Sequence, residues 1–523
     1  MTFPLLMAVV ALAGFVSLSY ELLWLRAFSF ASRGAPDIFG RLLFYYLAGL
    51  AIGAFASRIF CHERNTRGDP RRLLPLAAFV YLANLVGFLV LPALGWLATS
   101  WGWEAALPLV AIGSASWGSV LPLVSHFGVA PDALAGARLS YLYLANILGS
   151  VAGTLITGFL LFDRWPLVTC ALLAVLLGLG LAGALIVAGR APDARRRLGL
   201  GAVIATAAVF IVTAQSLFHR FYERLLGGPT FRAAVPAARI VENRHGVIAV
   251  TANGDVFGGG AYDGAISTSL LHDRNMIVRA YGLAALHDRP RDVLLIGLST
   301  GAWAQVIANM PGVQKLTVVE INPGYLGLIP RFAQVASLLR NPKVEIVIDD
   351  GRRWLARHPD RAFDVIVSNT TFHWRSNVTN LLSTEFLQLI RRHLKPGGIF
   401  HFNATESADV YRTAFTVFPH GLRFINFVTV SDTPIAIDAG RFRSVLDGET
   451  IDGVSVLNQS SAADRQRRSE LLALLHTIDG PPVRYGLEWR DALLSRMRSG
   501  SVITDDNMLP EWRGTNDPLY PPR

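Results

Sequence analysis

Apolar residues are unevenly distributed along this chain of 523 residues. Before about residue 218 they form long runs, which are separated by short polar and basic segments. A helix needs ~20 mainly apolar residues to cross a lipid bilayer. Seven runs are long enough, and we place them near residues 3–25, 40–60, 73–98, 105–128, 141–162, 166–188 and 199–218. The pattern predicts a transmembrane helical domain with about seven spans over residues 1–220.

Glycines recur at four-residue spacing within two of these spans, as Gly49 with Gly53 and Gly149 with Gly153. This spacing lets the backbones of neighbouring helices approach closely in lipid, so it predicts tight helix packing. The spans also contain a few polar residues, which are Glu21, Asn84, His126 and Asn146. Because polar groups are costly inside a bilayer, a substrate path through the helices stays open as an alternative to plain packing.

From about residue 235 the pattern becomes that of a water-soluble domain. Residues 239–264 alternate between apolar and polar with Gly, Asn and Asp turns, which predicts a small antiparallel sheet. A helix is predicted near 273–287. Beyond residue 290, five short apolar runs alternate with helical segments, which is typical of a parallel, doubly wound sheet. We therefore predict a small β-domain with a linking helix over 235–290, a Rossmann-like nucleotide-binding domain over 291–480 and a C-terminal extension over 481–523.

Composition and charge agree with a membrane domain joined to a soluble one. The hydrophobic fraction is 52% and the formal net charge is +10. Arginine clusters at 64–72 and 190–197 lie between apolar runs, as in the cytoplasmic loops of membrane proteins. A nucleic-acid-binding protein would gather this charge on its soluble domain. The predicted partner is thus a lipid bilayer and not a nucleic acid, and the predicted location is the bacterial inner membrane, with a multi-pass topology.

The side of the membrane on which the soluble domain lies stays open. Arginine counts in the loops weakly favour an internal N-terminus. With seven spans, the C-terminal domain would then face outwards, whereas a cytosolic nucleotide cosubstrate requires it to face inwards. The two cysteines show no metal-ligand spacing with His or Cys, so no metal site is predicted.

Candidate site residues lie where the predicted parallel strands end. Gly297, Ser299 and Gly301 form the turn after the first strand, where glycines let a ligand approach the backbone. Glu320 ends the second strand and can accept hydrogen bonds from a ribose diol. The third strand ends in Asp349, Asp350 and Gly351, and Asp350 could meet an adenine amino group.

The fourth predicted strand ends abruptly in the segment "FDVIVSNTTFHW", residues 363–374. Asn369 and His373 are the candidate catalytic residues there. An Asn amide accepts a hydrogen bond but does not take up a proton at neutral pH. A histidine can act as a base, because its reference pKa is about 6.5. His373 at the rim of the pocket without a catalytic role is the alternative.

In this arrangement the chain resembles the spermidine synthase family, the aminopropyltransferases, and among them the membrane-fused bacterial type. The resemblance is good over roughly 240–420 and includes the segment 503–514. The matching segments are "YDG" (262–264), "VLLIGLSTG" (293–301), "VVEIN" (318–322), "IDDGRRWL" (348–355), "FDVIVSN" (363–369) and "LLSTEFLQLIRRHLKPGGIF" (381–400). The resemblance implies transfer of an aminopropyl group from decarboxylated S-adenosylmethionine to a small-molecule amine acceptor in polyamine biosynthesis. It also implies a homodimer.

Several residues depart from the pattern of that family. Where the family has acids that hold the cosubstrate amine or help to deprotonate the acceptor, this chain has Thr300, Asn369 and Phe372. Asn322 stands for another Asp, and Ser267 stands for a Gln. Loss of the acids removes a proton acceptor and also reduces the attraction for a dicationic polyamine.

Two other functions stay open at this point. One is an S-adenosylmethionine-dependent methyltransferase, because "NTTF" (369–372) has the spacing of the Asn-Pro-Pro-aromatic motif of amino methyltransferases. The other is a non-catalytic membrane transporter or sensor with a degenerate spermidine synthase domain. The cosubstrate is accordingly either decarboxylated S-adenosylmethionine or S-adenosylmethionine itself.

Overall fold

The structure is a computed structural model that describes residues 2–61, 73–189, 192–233, 235–369, 372–476, 486–514 and 519. The chain divides into two compact units. The first comprises Met1–Arg33 and Asp37–Val247, and the second comprises Gly34–Pro36 and Ile248–Arg523. The division therefore falls later in the chain than residue 220, where the hydrophobic pattern ends the helical domain.

The first unit is helical. Its helices are α1 (Phe3–Ala31), α2 (Ile38–Ala56), α3 (Leu73–Trp101), α4 (Leu107–Gly118), α5 (Val120–Gly128), α6 (Ala135–Leu155), α7 (Phe162–Arg164), α8 (Leu167–Ala188), α9 (Asp193–Leu217) and α10 (Phe221–Gly227). Among the described residues, seven helical segments are long and apolar enough to cross a membrane. These segments are Phe3–Ala31, Ile38–Phe60, Leu73–Trp101, Trp103–Gly128, Ala135–Arg164, Leu167–Ala188 and Asp193–Leu217.

The prediction of seven apolar helices is confirmed, although two of them start earlier than expected. The fifth segment begins at Ala135 and the seventh at Asp193, whereas the apolar runs begin near 141 and 199. The hydrophobic pattern misses these first turns because they are polar. Arginine is a good helix former, so the basic residues 195–197 continue the helix.

The glycine pairs mark close contacts between helices. A Cβ added at Gly149 would lie 1.9 Å from the carbonyl oxygen of Ala11, and one at Gly53 would lie 1.7 Å from that of Ala115. No side chain fits at such distances. The predicted helix-packing role of these small residues therefore follows from the geometry.

Two β-sheets dominate the fold from residue 237 onwards. The smaller sheet has four strands in chain order, namely β1 (Ala237–Asn243), β2 (Gly246–Thr251), β3 (Asp255–Gly258) and β4 (Ala261–Ala265). The larger sheet has eight strands in the order β14-β10-β11-β9-β8-β5-β6-β7. These are β5 (Asp292–Ile296), β6 (Lys315–Glu320), β7 (Val344–Ile348), β8 (Phe363–Ser368), β9 (Leu394–Asn403), β10 (His420–Phe424), β11 (Phe427–Ser431) and β14 (Leu487–Trp489).

Short helices and one hairpin complete this part of the chain. The hairpin is formed by β12 (Thr450–Ile451) and β13 (Val454–Ser455). The helices are α11 (Val278–Tyr281), α12 (Leu283–Leu286), α13 (Ala302–Asn309), α14 (Gly351–Arg357), α15 (Thr384–Arg392), α16 (Ala408–Val417), α17 (Ala439–Gly448), α18 (Ala462–Ala473), α19 (Arg490–Arg496) and α20 (Leu509–Trp512). The single helix predicted near 273–287 is thus two short helices, α11 and α12.

The large sheet contains three strands that the sequence pattern did not predict. Strands β5 to β9 are parallel, as expected, whereas β10, β11 and β14 are antiparallel to their neighbours. Strand β14 comes from the predicted C-terminal extension and pairs with β10. A buried ion pair between Arg423 and Glu488, with Nε and Oε2 3.2 Å apart, joins these two strands.

The order of the parallel strands reverses beside β5. From β5 the chain continues through β6 to β7 on one side, and it then returns to place β8 and β9 on the other side. In sheets of this kind, ligands bind at the carboxyl ends of the strands that flank such a reversal. The ends of β5 and β8 are therefore the place where a ligand site is expected.

Candidate functional site

The turn after β5 has an unusual backbone. Gly297, Ser299 and Gly301 all have positive φ angles, of 92°, 45° and 76°. Glycine adopts such angles without strain, whereas Ser299 is a strained position. The Ser299 hydroxyl donates a hydrogen bond of 2.7 Å to the main-chain oxygen of Asp263. The predicted turn residues are thus all present in one tight turn, and Ser299 ties that turn to β4.

Glu320 lies at the end of β6, next to this turn, and is 4% exposed. Its carboxylate accepts hydrogen bonds from the main-chain N–H groups of Leu298 at 2.7 Å, Ser299 at 3.4 Å and Asn322 at 2.7 Å. Burial raises the pKa of this carboxyl, while the amides of Asn322 and Leu298 act in the opposite direction. Glu320 therefore organises the turn, and its predicted contact with a ribose stays a prediction.

The acids at the end of β7 have structural partners. The Asp349 carboxylate accepts from the Arg353 side chain, and Asp350 accepts from the main-chain N–H of Arg353 at 2.7 Å as the N-cap of α14. A Cβ added at Gly351 would lie 2.7 Å from Ile296, so this glycine allows α14 to pack on β5. The predicted contact of Asp350 with adenine stays a prediction.

Asn369 follows β8 and faces the turn after β5. A Cβ added at Gly297 would lie 3.9 Å from the main-chain oxygen of Asn369. The two predicted site residues therefore lie side by side at the carboxyl edge of the sheet. The next two residues, 370 and 371, lie outside the described residues, so the predicted "NTTF" motif is only partly visible.

His373 is buried, at 4% exposed, and does not lie at an open rim. Its Nδ1 lies 2.6 Å from the Thr405 hydroxyl, which also accepts from the His373 main-chain N–H at 3.4 Å. The neighbouring Phe372 ring stacks on Trp374, with the ring centres 5.3 Å apart. His373 is thus held against the loop that follows β9, and its role as a base stays a prediction.

A cluster of Asp263, Tyr325 and Arg375 was missed by sequence reasoning. The Tyr325 hydroxyl donates a hydrogen bond to the Asp263 carboxylate. Burial raises the pKa of Asp263, while Tyr325 and the charge of Arg375 act to lower it. The "YDG" segment was the signal that could have directed attention to Asp263. Tyr325 and Arg375 gave no comparable signal, because they come from separate loops.

The segment after α19 anchors the loop that follows the site. Glu511 is buried and accepts hydrogen bonds from the main-chain N–H groups of Asn377 and Thr379, both at 3.0 Å. Asp505 binds Arg352 on α14 and the Ser383 hydroxyl. Both acids lie in the 503–514 segment, which therefore holds the chain between β8 and α15 in place.

These features define a Rossmann-like type of domain. A glycine-containing turn follows its first parallel strand, and a buried carboxylate ends the next strand. Within the described residues, no group of three or more His, Cys, Asp or Glu side chains is placed to hold a metal ion. The chemistry available is hydrogen bonding at the turn and a half-buried carboxylate, Asp263.

Comparison with known proteins identifies the domain. The sequence model of the spermine/spermidine synthase domain matches residues 274–416. This region is therefore similar to the spermine/spermidine synthase domain.

Similar proteins carry related names. A polyamine aminopropyltransferase of Mycobacterium tuberculosis is 27% identical over 413 residues, which are 75% of this chain and 76% of that protein. Polyamine aminopropyltransferase 1 of Pseudomonas aeruginosa is 34% identical over 146 residues, which are 27% of this chain and 49% of that protein. The crystal structure of spermidine synthase from Thermotoga maritima aligns with 46% of this chain and 86% of its own, at 17% identity and a TM-score of 0.32.

Proposed function

We propose that this protein is a membrane-held aminopropyltransferase. It takes decarboxylated S-adenosylmethionine as the donor and an amine as the acceptor. The family match and the named relatives support aminopropyl transfer as the class of reaction. The seven long apolar helices support the membrane location.

One observation carries the proposal. Gly297 and Asn369 lie next to each other where the strand order reverses. The buried Glu320 carboxylate stabilises the turn by accepting a hydrogen bond from the main-chain N–H of Leu298. A nucleoside can lie across this edge, with its ribose directed towards Glu320 and its reacting carbon towards Asn369.

The proposed reaction balances as a substitution. The lone pair of the acceptor nitrogen attacks the aminopropyl carbon that is bonded to the sulfonium. The carbon–sulfur bond breaks, its electron pair goes to sulfur, and methylthioadenosine leaves. The new ammonium then loses a proton. Asn369 can orient the acceptor through its amide oxygen, but the proton must go to another group or to water.

The test is a titration of the full chain in detergent or nanodiscs. Decarboxylated S-adenosylmethionine, S-adenosylmethionine and methylthioadenosine are compared by calorimetry. Turnover is then followed as methylthioadenosine release. Tighter binding and turnover of the decarboxylated form support the proposal. Turnover of S-adenosylmethionine would indicate a methyltransferase, and no binding of any of the three would contradict both.

A second function, small-molecule transport or sensing by the helices, is supported by a cavity in the first unit. This cavity of about 380 Å³ is lined by residues of α1, α2, α4, α5 and α6. Ser17 and Tyr46 share a 2.7 Å hydrogen bond at its wall, and Asn146 also lines it. The cavity lies where α4 ends at Gly118 and α5 begins at Val120. Broken helices of this kind form substrate sites in transporters.

Transport can be separated from catalysis by assay. The full chain is reconstituted in liposomes, and uptake of radiolabelled spermidine is measured for the natural sequence, Asn146→Leu and the exposed control Ser140→Ala. Uptake that is lost only in Asn146→Leu would support the second function. Equal retention in all three, or no uptake in any, would contradict it.

A further inference from the structure

We infer that Arg375 sets the class of acceptor, so that the site takes a monoamine in preference to a diamine dication. This inference rests on the proposed aminopropyl transfer. Arg375 lies near Asp263 and Tyr325.

A pair of glycines places the three side chains of the cluster together. A Cβ added at Gly258, the last residue of β3, would lie 2.5 Å from the Tyr325 hydroxyl and 3.2 Å from Asp263 Oδ2. A Cβ added at Gly259 would lie 2.7 Å from Arg375 Nη2. The turn at Gly258 and Gly259 therefore packs directly against the side chains of Tyr325, Asp263 and Arg375. A side chain at either glycine would collide with them.

The cluster also belongs to the candidate site. Ser299 in the turn donates to the main chain of Asp263, and a Cβ added at Gly264 would lie 3.3 Å from the Thr300 side chain. The Asp263 and Glu320 carboxylates are close enough for a Coulombic interaction. Arg375 therefore acts on a carboxylate, Asp263, whose main chain is bonded to the turn.

Within the described part of the chain, each carboxylate around this edge already has a partner. Asp263 receives the Tyr325 hydroxyl and faces the Arg375 charge. Glu320 receives three main-chain N–H groups. Asp349 pairs with arginines of α14, and Asp350 caps that helix.

The segment after β8 supplies no further acid. Residues 369–374 read Asn-Thr-Thr-Phe-His-Trp. A diamine carries two ammonium groups, and burying a charge without a partner is costly. The second ammonium would meet the guanidinium of Arg375 and no free carboxylate. A monoamine has an apolar second end and avoids this cost.

The experiment compares two acceptors with the same number of carbons. Binding of butylamine and of 1,4-diaminobutane to the full chain is measured by calorimetry, with and without saturating methylthioadenosine. We expect butylamine to bind at least tenfold more tightly. In Arg375→Gln the carboxylate of Asp263 keeps the Tyr325 hydroxyl but loses the neighbouring positive charge. The affinity for 1,4-diaminobutane should therefore rise at least tenfold, while that for butylamine changes less than threefold.

Two variants serve as controls. Arg375→Lys keeps the charge and should keep the preference for butylamine, which also tests whether the fold tolerates a change at this position. Arg391→Gln removes a guanidinium that is paired with an acid at the opposite edge of the sheet, Asp432, and should leave the ratio of the two affinities unchanged.

Several outcomes would overturn the inference. These are tighter binding of 1,4-diaminobutane by the natural sequence, an unchanged ratio in Arg375→Gln, or nucleoside binding without binding of either amine. Failure of the proposed function looks different. In that case the amine preference and its response to Arg375→Gln are present, but decarboxylated S-adenosylmethionine gives no product.

Discussion

The main-chain oxygen of Asn369 lies 3.9 Å from the point where a Cβ on Gly297 would stand. These two residues directly follow neighbouring parallel strands, β8 and β5. Their contact brings the glycine turn and the predicted catalytic position to the same edge of the sheet. A ligand that crosses this edge would touch both residues.

Gly297→Ala should weaken nucleoside binding. Gly297 has a φ of 92°, at which an L-residue is strained by about 1–2 kcal/mol, and the added methyl group would enter the space beside Asn369. We expect at least tenfold weaker binding of methylthioadenosine in calorimetry. Gly312→Ala is a matched control, because Gly312 has a φ of 90° and no heavy atom within 4 Å of an added Cβ. Equal binding by both variants would contradict the assignment of the site.

Asn369→Asp should raise the rate of aminopropyl transfer. A carboxylate at this position can accept the proton of the attacking amine, and general-base catalysis contributes about 100-fold or more when it is well placed. The measurement is kcat from methylthioadenosine release at a saturating concentration of donor. Asn369→Gln adds no base and should show no gain. If Asn369→Asp binds donor normally but is no faster, Asn369 does not occupy the catalytic position.

Glu320→Gln should destabilise the turn after β5. Both oxygens of the natural carboxylate accept hydrogen bonds from main-chain N–H groups. In glutamine an NH₂ group replaces one of these oxygens, so two donors would face each other at that position. A buried donor left without an acceptor costs about 1–3 kcal/mol. We expect a lower melting temperature and weaker nucleoside binding. The control is Glu345→Gln on β7, where an exposed ion pair with Lys315 of 2.8 Å is lost, at a cost of about 1 kcal/mol or less. A similarly small effect at both positions would show that Glu320 does not support the turn.

Glu449→Gln should remove a pH dependence of stability. Glu449 is 3% exposed, and neither carboxylate oxygen has a hydrogen-bond partner among the described residues. Burial raises the pKa of its carboxyl from 4.5 to about 8. The unfolded chain loses this proton as the pH rises above about 4.5, while the folded chain keeps it until about pH 8. Stability therefore falls across this window, by an amount on the order of a few kcal/mol.

The difference is measured as melting temperature against pH for the full chain. Glu449→Gln should be more stable than the natural sequence near pH 8, and the difference should vanish below about pH 4.5. Glu470→Gln changes an exposed glutamate of α18, and its difference should be small at every pH. A constant difference between Glu449→Gln and the natural sequence at all pH values would mean that Glu449 titrates normally.

The amino-acid sequence by itself determined the features that depend on neighbouring residues. Seven apolar helices follow from runs of about 20 apolar residues, and the parallel strands follow from short apolar runs between helical segments. Gly297, Glu320 and Asn369 could be named as site residues because each directly follows or ends such a run. Glycine is also the residue that a turn with positive φ favours. The glycines at 297 and 301 therefore indicate a turn from the sequence alone.

Only the tertiary structure decided the features that depend on residues far apart in the chain. Strand β14 is three residues long and exists because β10 offers it a partner. Three further features also depend on separate elements of the chain. They are the proximity of Asp263 and Arg375, the hydrogen bonds from Thr379 to Glu511, and the burial of Glu449. The physical reason is that hydrophobic periodicity and turn preference act within a segment, whereas the charge that a side chain meets depends on what the folded chain places beside it.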